Sequence, residues 1–315
     1  MKTFEFSSSI ADELKHFVEL KQISGSDYSS SASFLSQFDR HLVGRSYEGK
    51  MLSEAIFQDY LDKLQHLSAR GFGNQYSVLR QFSIWLHQSN PNSHILEKKR
   101  TLDRSYSRPA YIFSTEEIVK ILYCSVFSKK EESVPGLFQT LYGLLYSTGI
   151  RIGEALALNR ADYAEAEKLL HVRQGKFRKE RYLPISNSTA ESLNKYLSRC
   201  KKNRQMEADS PFFLNIRGKR LTYASVALAF TKTLKKAKIT AIGGPRLHCF
   251  RHTYAVHRLL GWYRDRRDVN ALLPILSTYM GHVDIVSTQI YLESSNEILQ
   301  AGCERFREFF TQHVK

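Results

Sequence analysis

Residues 137–158 read LFQTLYGLLYSTGIRIGEALAL. The run from Leu137 to Ile150 comes closest in this chain to a membrane span, yet Gln139, Thr140, Ser147, Thr148 and Gly149 break it. Crossing a bilayer takes about 18 to 20 consecutive apolar residues. The segment therefore predicts a helix at about 136–147, a break at Thr148-Gly149, and a second short helix over 151–158 that opens on Arg151.

Outward from this pair the pattern stays helical. Ser114-Thr115-Glu116-Glu117 is a capping box ahead of Ile118, Ile121 and Leu122. Further helices are expected at about 188–202, 222–237, 247–261, 268–280 and 296–311. Leu169 to Arg173 and Arg181 to Ile185 flank Gln174-Gly175-Lys176-Phe177-Arg178-Lys179-Glu180, which reads as a β-hairpin with a basic tip. The fold class is mainly α with a small β-sheet.

The first hundred residues carry four apolar runs at helical spacing. Ile10, Leu14, Phe17 and Val18 follow Ser9 as N-cap. Phe34, Leu35, Phe38 and Leu42 come next, then Ile56, Phe57, Tyr60, Leu61 and Leu64 after Ser53, and last Tyr76, Leu79, Phe82 and Leu86. Four helices in a bundle are expected over 1–90, a polar and basic linker over 91–109, and a second domain over 110–315.

The 315 residues suffice for two cores, and 42% hydrophobic with 12% aromatic residues is a folding composition. The net charge of +15 points to a polyanionic partner. It is unevenly spread: residues 1–100 hold 12 Lys/Arg against 11 Asp/Glu, and residues 101–315 hold 34 against 20. The second domain is thus expected to grip the polyanion. The first residues lack a secretory h-region, so a cytoplasmic location and no membrane partner are expected. Cys124, Cys200, Cys249 and Cys303 form no C-x-x-C pair, which argues against a disulfide scaffold or zinc finger.

Five short segments carry the chemistry: Thr148-Gly149-Ile150-Arg151-Ile152-Gly153-Glu154, Gly175-Lys176, His248-Cys249-Phe250-Arg251-His252, Gly281-His282 and Thr288-Gln289-Ile290-Tyr291. Each alone has a plain explanation, since Lys176 could be a solvated hairpin lysine and Tyr291 is one of 17 tyrosines. Five in one fixed order do not coincide by accident. Over roughly 110–310 the chain resembles the catalytic domain of the tyrosine recombinases, which include phage integrases and bacterial Xer recombinases; residues 1–100 resemble the family's SAM-like core-binding, DNA-clamping domain by helix count and position.

The resemblance implies a site-specific recombinase or integrase that cuts and rejoins double-stranded DNA through a 3′-phosphotyrosine link. Arg151 matches the first catalytic arginine, Lys176 the hairpin lysine, His248 and Arg251 the H-x-x-R pair, His282 the histidine-or-tryptophan position and Tyr291 the nucleophile. Glu154 matches an acidic position that looks structural. The chemistry explains these residue types. Attack on a phosphodiester builds negative charge on non-bridging oxygens, and guanidinium forks match that geometry. A tyrosine hydroxyl ordinarily ionises near pH 10, a handicap of roughly 4 kcal/mol at pH 7. Nearby arginines favour the phenolate, His248 can take the proton and Lys176 can protonate the leaving 5′-oxygen.

Arg173, Arg178, Lys179 and Arg181 around the hairpin, and Arg220, are expected to contact the DNA backbone. No cofactor or metal is expected: His248, His252 and His257 lack a carboxylate at ligand spacing. The stretch from Arg251 to His282 is longer than the family's by roughly two helical turns, around residues 261–268, a segment that could contact DNA, contact a neighbour or only lengthen a helix. With the short tail after Tyr291, it looks more like recombinases of mobile elements, including transposition enzymes, than the housekeeping Xer type. The tail after Asn296 reads as an amphipathic helix that could pack on its own domain, whereas the resemblance implies that it docks on a neighbour in a homotetramer on two DNA sites. Two other readings fit parts of the pattern: a type IB topoisomerase-like nicking and resealing enzyme, and a non-catalytic DNA-binding accessory protein.

Overall fold

The computed structural model describes residues 4–25, 28–98, 111–126, 135–173, 180–203, 207–241, 244–282, 288 and 289, and beyond these 300, 304, 307 and 311. They fall into two units, Met1–Ser107 and Arg108–Lys315. The chain is mainly α-helical among the described residues, with one three-stranded sheet. Among the described residues no helix is long and apolar enough to cross a membrane.

In the first unit, α1 (Ala11–Ile23), α2 (Ser29–Gly44), α3 (Glu54–Lys63) and α4 (Ala69–Ser89) form on the four apolar runs. Their inward faces meet in an aromatic core. Phe38 stacks on Phe57 with centroids 5.7 Å apart, and Phe17 meets Phe82 edge-on at 5.4 Å. Burying such rings is the main stabilising contribution here. Ser9 does not cap α1, contrary to the sequence expectation. Its hydroxyl donates to the carbonyls of Tyr47 and Gly49, at 3.0 and 2.7 Å. The buried Asp39 carboxylate accepts from the N–H groups of Ser7 and Ser8. Tying the entering strand to α2 and to the loop after it satisfies more polar groups than a local cap.

The second unit opens with α5 (Thr115–Cys124), where the capping box forms as expected: Glu117 N–H donates to Ser114 Oγ at 3.2 Å and Ser114 N–H to Glu117 Oε2 at 2.9 Å. Next come α6 (Leu137–Thr148) and α7 (Ile152–Ala157), then β1 (Tyr163–Ala164), β2 (Leu169–Val172) and β3 (Arg181–Pro184). Four helices follow: α8 (Asn187–Asn203), α9 (Tyr223–Lys236), α10 (Cys249–Arg264) and α11 (Val269–Met280). Tyr142 of α6 stacks on Phe250 of α10 at 5.6 Å, in a core they share with Phe230 of α9.

The sheet is antiparallel in the order β1-β2-β3, with Leu170 opposite Leu183 and Val172 opposite Arg181. Successive strand residues face opposite ways. Leu170, Val172 and Leu183 therefore point into the core while Tyr182 is 66% exposed. Arg181 shares the inward face with Leu183. β1, at two residues, is too short to show any alternation in sequence.

Between Arg251 and His282, α10 continues to Arg264. The chain turns through Arg266 at φ +56° and restarts where Asp268 accepts from the N–H groups of Asn270 and Ala271. The hairpin tip 174–179, the linker from 99 to 109 and most of the expected tail helix 296–311 lie outside the described residues.

Candidate active site

The site grows from two helix ends. At the first, α6 stops where Gly149 takes φ +62°, and its α-carbon lies so close to the Tyr254 ring that a β-carbon has no room. Thr148 secures the turn, its hydroxyl donating to Leu144 O at 2.6 Å and accepting from Ile150 N–H at 3.2 Å. Arg151 then starts α7, with its N–H donating to Glu154 Oε2 at 3.1 Å.

At the second, α11 ends in a Schellman motif. Gly281 has φ +68°, its N–H donates to Thr278 O, and His282 N–H reaches back to Ser277 O, both at 2.9 Å. The last carbonyls of a helix have no partner within it. Here three in succession are taken by arginines from three other segments. Arg181 Nε donates to Tyr279 O at 3.1 Å, Arg251 Nη2 to Met280 O at 2.8 Å, and Arg151 Nη2 to Gly281 O at 2.8 Å. Cations are also favoured at this end of the helix dipole. Arg251 joins the two helix ends, since its Nη1 donates to Gly149 O at 2.8 Å.

Glu154 stands between two of these guanidiniums and is buried. Its Oε1 accepts from Arg151 Nη1 at 2.8 Å and Arg181 Nη1 at 3.1 Å, and its Oε2 accepts from Arg181 Nη2 at 2.7 Å. Burial pushes this carboxyl's pKa up, but Arg181 and then Arg151 outweigh it and hold it below the usual glutamate value. Arg251 is 2% exposed, whereas the Arg151 side chain keeps 24% of its surface open.

His248 precedes α10 with an exposed edge. The packing around its ring, and then the charges of Arg251 and Arg151, lower its pKa, so the imidazole is neutral at pH 7. His252, one turn on, meets it edge-to-face at 4.6 Å, and burial and its basic neighbours lower its pKa to about 4. His282 Nδ1 lies 2.7 Å from Thr288 Oγ1, which fixes the ring where the chain leaves the arginine-bound corner.

Of the residues singled out from sequence, Arg151, Arg251 and His248 thus come together, with His282 next to the carbonyl that Arg151 holds. Lys176, Tyr291, Arg178 and Lys179 lie outside the described residues. Three arginines expected on the DNA backbone have partners within the chain. Arg173 pairs with the buried Asp162, Arg220 donates to the carbonyls of Leu156 and Leu158, and Arg181 serves Glu154 and Tyr279. The part played by Arg181 was missed in sequence, although the alternation Arg181-Tyr182-Leu183 places it on the face of a core leucine. Among the described residues no cluster of three or more His, Cys, Asp or Glu is set to hold a metal ion.

Known proteins resemble this chain in sequence and fold. The model of the phage integrase family matches residues 124–297. The chain belongs to that family. It is 30% identical over 306 residues to a protein of Sinorhizobium fredii named as an integrase/recombinase, y4rE, a match covering 95% of this chain and 96% of that one. It is 28% identical to the tyrosine recombinase XerC of Anoxybacillus flavithermus, covering 83% and 87%. Among solved structures, the XerH site-specific recombinase bound to a palindromic difH substrate after cleavage has the same fold, with TM-score 0.63, 19% identity, and 88% of this chain and 79% of that one covered. The recombinase described here is accordingly an enzyme of DNA strand breakage and rejoining.

Proposed function

We propose that this recombinase acts at specific sites on double-stranded DNA, and that Tyr291 attacks the scissile phosphorus, forms a 3′-phosphotyrosyl bond and releases a 5′-hydroxyl. A 5′-hydroxyl of another strand then attacks the same phosphorus, frees Tyr291 and restores a phosphodiester, so that no external energy source enters. The observation that carries this reading is the convergence of Arg151 and Arg251 on the adjacent carbonyls of Gly281 and Met280, immediately before His282. Two guanidiniums fixed side by side before any charge develops are suited to a pentacoordinate phosphate, because little reorganisation is needed at the moment of reaction.

Arg151, the more open of the two, meets the non-bridging oxygens, and Arg251 adds its charge from the buried side. His248 is neutral at pH 7 and so can accept the phenolic proton. Lys176 protonates the leaving 5′-oxygen, and His282, its ring set by Thr288, hydrogen-bonds the phosphate. The assembly is a homotetramer on two sites, with the C-terminal segment docking between neighbours.

A nicked suicide substrate carrying the recognition site, incubated with the protein in EDTA and resolved on a denaturing gel, tests the chemistry. The unaltered protein is expected to give a covalent DNA adduct and Tyr291→Phe none. An adduct that survives in Tyr291→Phe would assign the nucleophile elsewhere. Supercoil relaxation by a monomer, with no joining of separate sites, would favour a topoisomerase role.

A further inference from the structure

Arg181 lies outside the set of residues assigned to the chemistry, yet it is built into the site more tightly than Arg151. The strand period turns it inward beside Leu183, and its side chain is only 13% exposed. All three of its guanidinium nitrogens are engaged: Nη1 and Nη2 grip the two oxygens of Glu154, and Nε holds Tyr279 O. The plane of the group lies against Gly281, where a β-carbon would stand 2.8 Å from Nη1. The glycine that ends α11 is therefore required twice, by its positive φ and by the approach of this guanidinium.

On the strand-transfer reading above, we propose that Arg181 is a positioning residue. Through Glu154 it fixes the direction in which Arg151 presents its guanidinium, and through Tyr279 O it pins the corner from which His282 departs. The physical reason is a competition for Glu154. A buried carboxylate must be met by hydrogen bonds and charge. Arg181 supplies both in a bidentate fork, so Arg151 needs to give only Nη1 and keeps the rest of its fork for Gly281 O and the open side of the site. Without Arg181, Glu154 has Arg151 as its remaining described cation and draws it away from the reacting phosphate. Lysine cannot substitute, because a single ammonium nitrogen does not span two carboxylate oxygens and a carbonyl on the far side of a planar fork.

The test uses the full chain and the nicked substrate, with adduct formation followed in single turnover at saturating DNA from pH 5 to 9 and DNA affinity measured separately. Arg181→Lys is expected to slow adduct formation roughly ten- to a hundredfold, the scale on which small misplacements act. Its DNA affinity should stay within about twofold of the unaltered protein. Its acid limb should move to higher pH, because Glu154 loses the partner that keeps it ionised. Millimolar guanidinium ion should restore part of the rate of Arg181→Ala, a response that a general loss of folding does not give.

An Arg181→Lys variant with the unaltered rate and pH profile overturns the proposal. So does a loss of rate matched by an equal loss of DNA affinity, which would make Arg181 a backbone contact. Absence of adduct from the unaltered protein is a separate result, which ends the strand-transfer reading and this proposal with it.

Discussion

The two units solve the problem of burial in opposite ways. In the first, Phe17, Phe38, Phe57 and Phe82 fill the centre between four helices, so stability rests on removing apolar surface from water. In the second, a comparable apolar core holds up a cluster in which Arg151, Arg181, Arg251 and Glu154 sit against helix-end carbonyls. Burying charge seldom adds stability over a hydrophobic replacement, and breaking such a cluster is costly. The first unit also buries the Asp39 carboxylate, and the second pairs Asp162 with Arg173, but three arginines converging on one helix end form an arrangement suited to geometry rather than to stability.

This contrast is sharpest when one residue is removed from each centre. Phe38→Ala is expected to cost about 3 to 5 kcal/mol through the cavity it leaves. Glu154→Ala should cost about 3 kcal/mol or more by leaving Arg151 and Arg181 facing each other. Hydrogen exchange on the full chain should show faster opening in α1–α4 for the first and in α7, β3 and α11 for the second. Equal loosening of both units by either change would erase the distinction. Gly281→Ala comes next, at about 1 to 3 kcal/mol, because it places a side chain in left-handed backbone. Its larger mark should be on adduct formation, since the new methyl meets the Arg181 guanidinium.

Acid should also separate apolar from ionic burial. Histidine in the unfolded chain takes a proton near pH 6.5, whereas native His252 resists it down to about 4. The unfolded state therefore binds more protons in that window, and stability falls as pH drops from about 6.5 toward 4. Glu154 adds to the loss below its ordinary value near 4.5, as its depressed native pKa is approached and its pairing with Arg181 and Arg151 is given up. Urea unfolding across this range should show the decline, and His252→Gln should flatten its upper part. A slope unchanged by that substitution would remove His252 as its source. The smallest effect is at the surface: Ser114→Ala removes the hydroxyl of the capping box, for a loss of about 1 kcal/mol by thermal melting and no change in adduct rate.

The helices were legible because their signals are local. The apolar runs, the Ser114 box and the Thr148-Gly149 break all speak within a few residues. Motif order names a candidate set from Arg151 to Tyr291 without any knowledge of contacts, and of that set Arg151, His248, Arg251 and His282 fall within the described residues. What sequence obscured was direction. Neighbourhood alone groups Arg181 with the basic hairpin, whereas the strand period turns it to the opposite side from Tyr182. Ser9 looks like a cap in sequence for a related reason: its partners, at Tyr47 and Gly49, are 38 and 40 residues away. A local cap rule sees no competitor at that distance.

The corner at Tyr279–Gly281 also orders events in time. Arg151 leaves the ribosome 130 residues before the carbonyl it will hold, and Arg181 precedes its own by 98. Bonds of such long sequence separation close late in folding. A nascent chain that has not yet reached residue 281 carries its arginines without the anchors that aim them, so this corner cannot be set until that residue has been made.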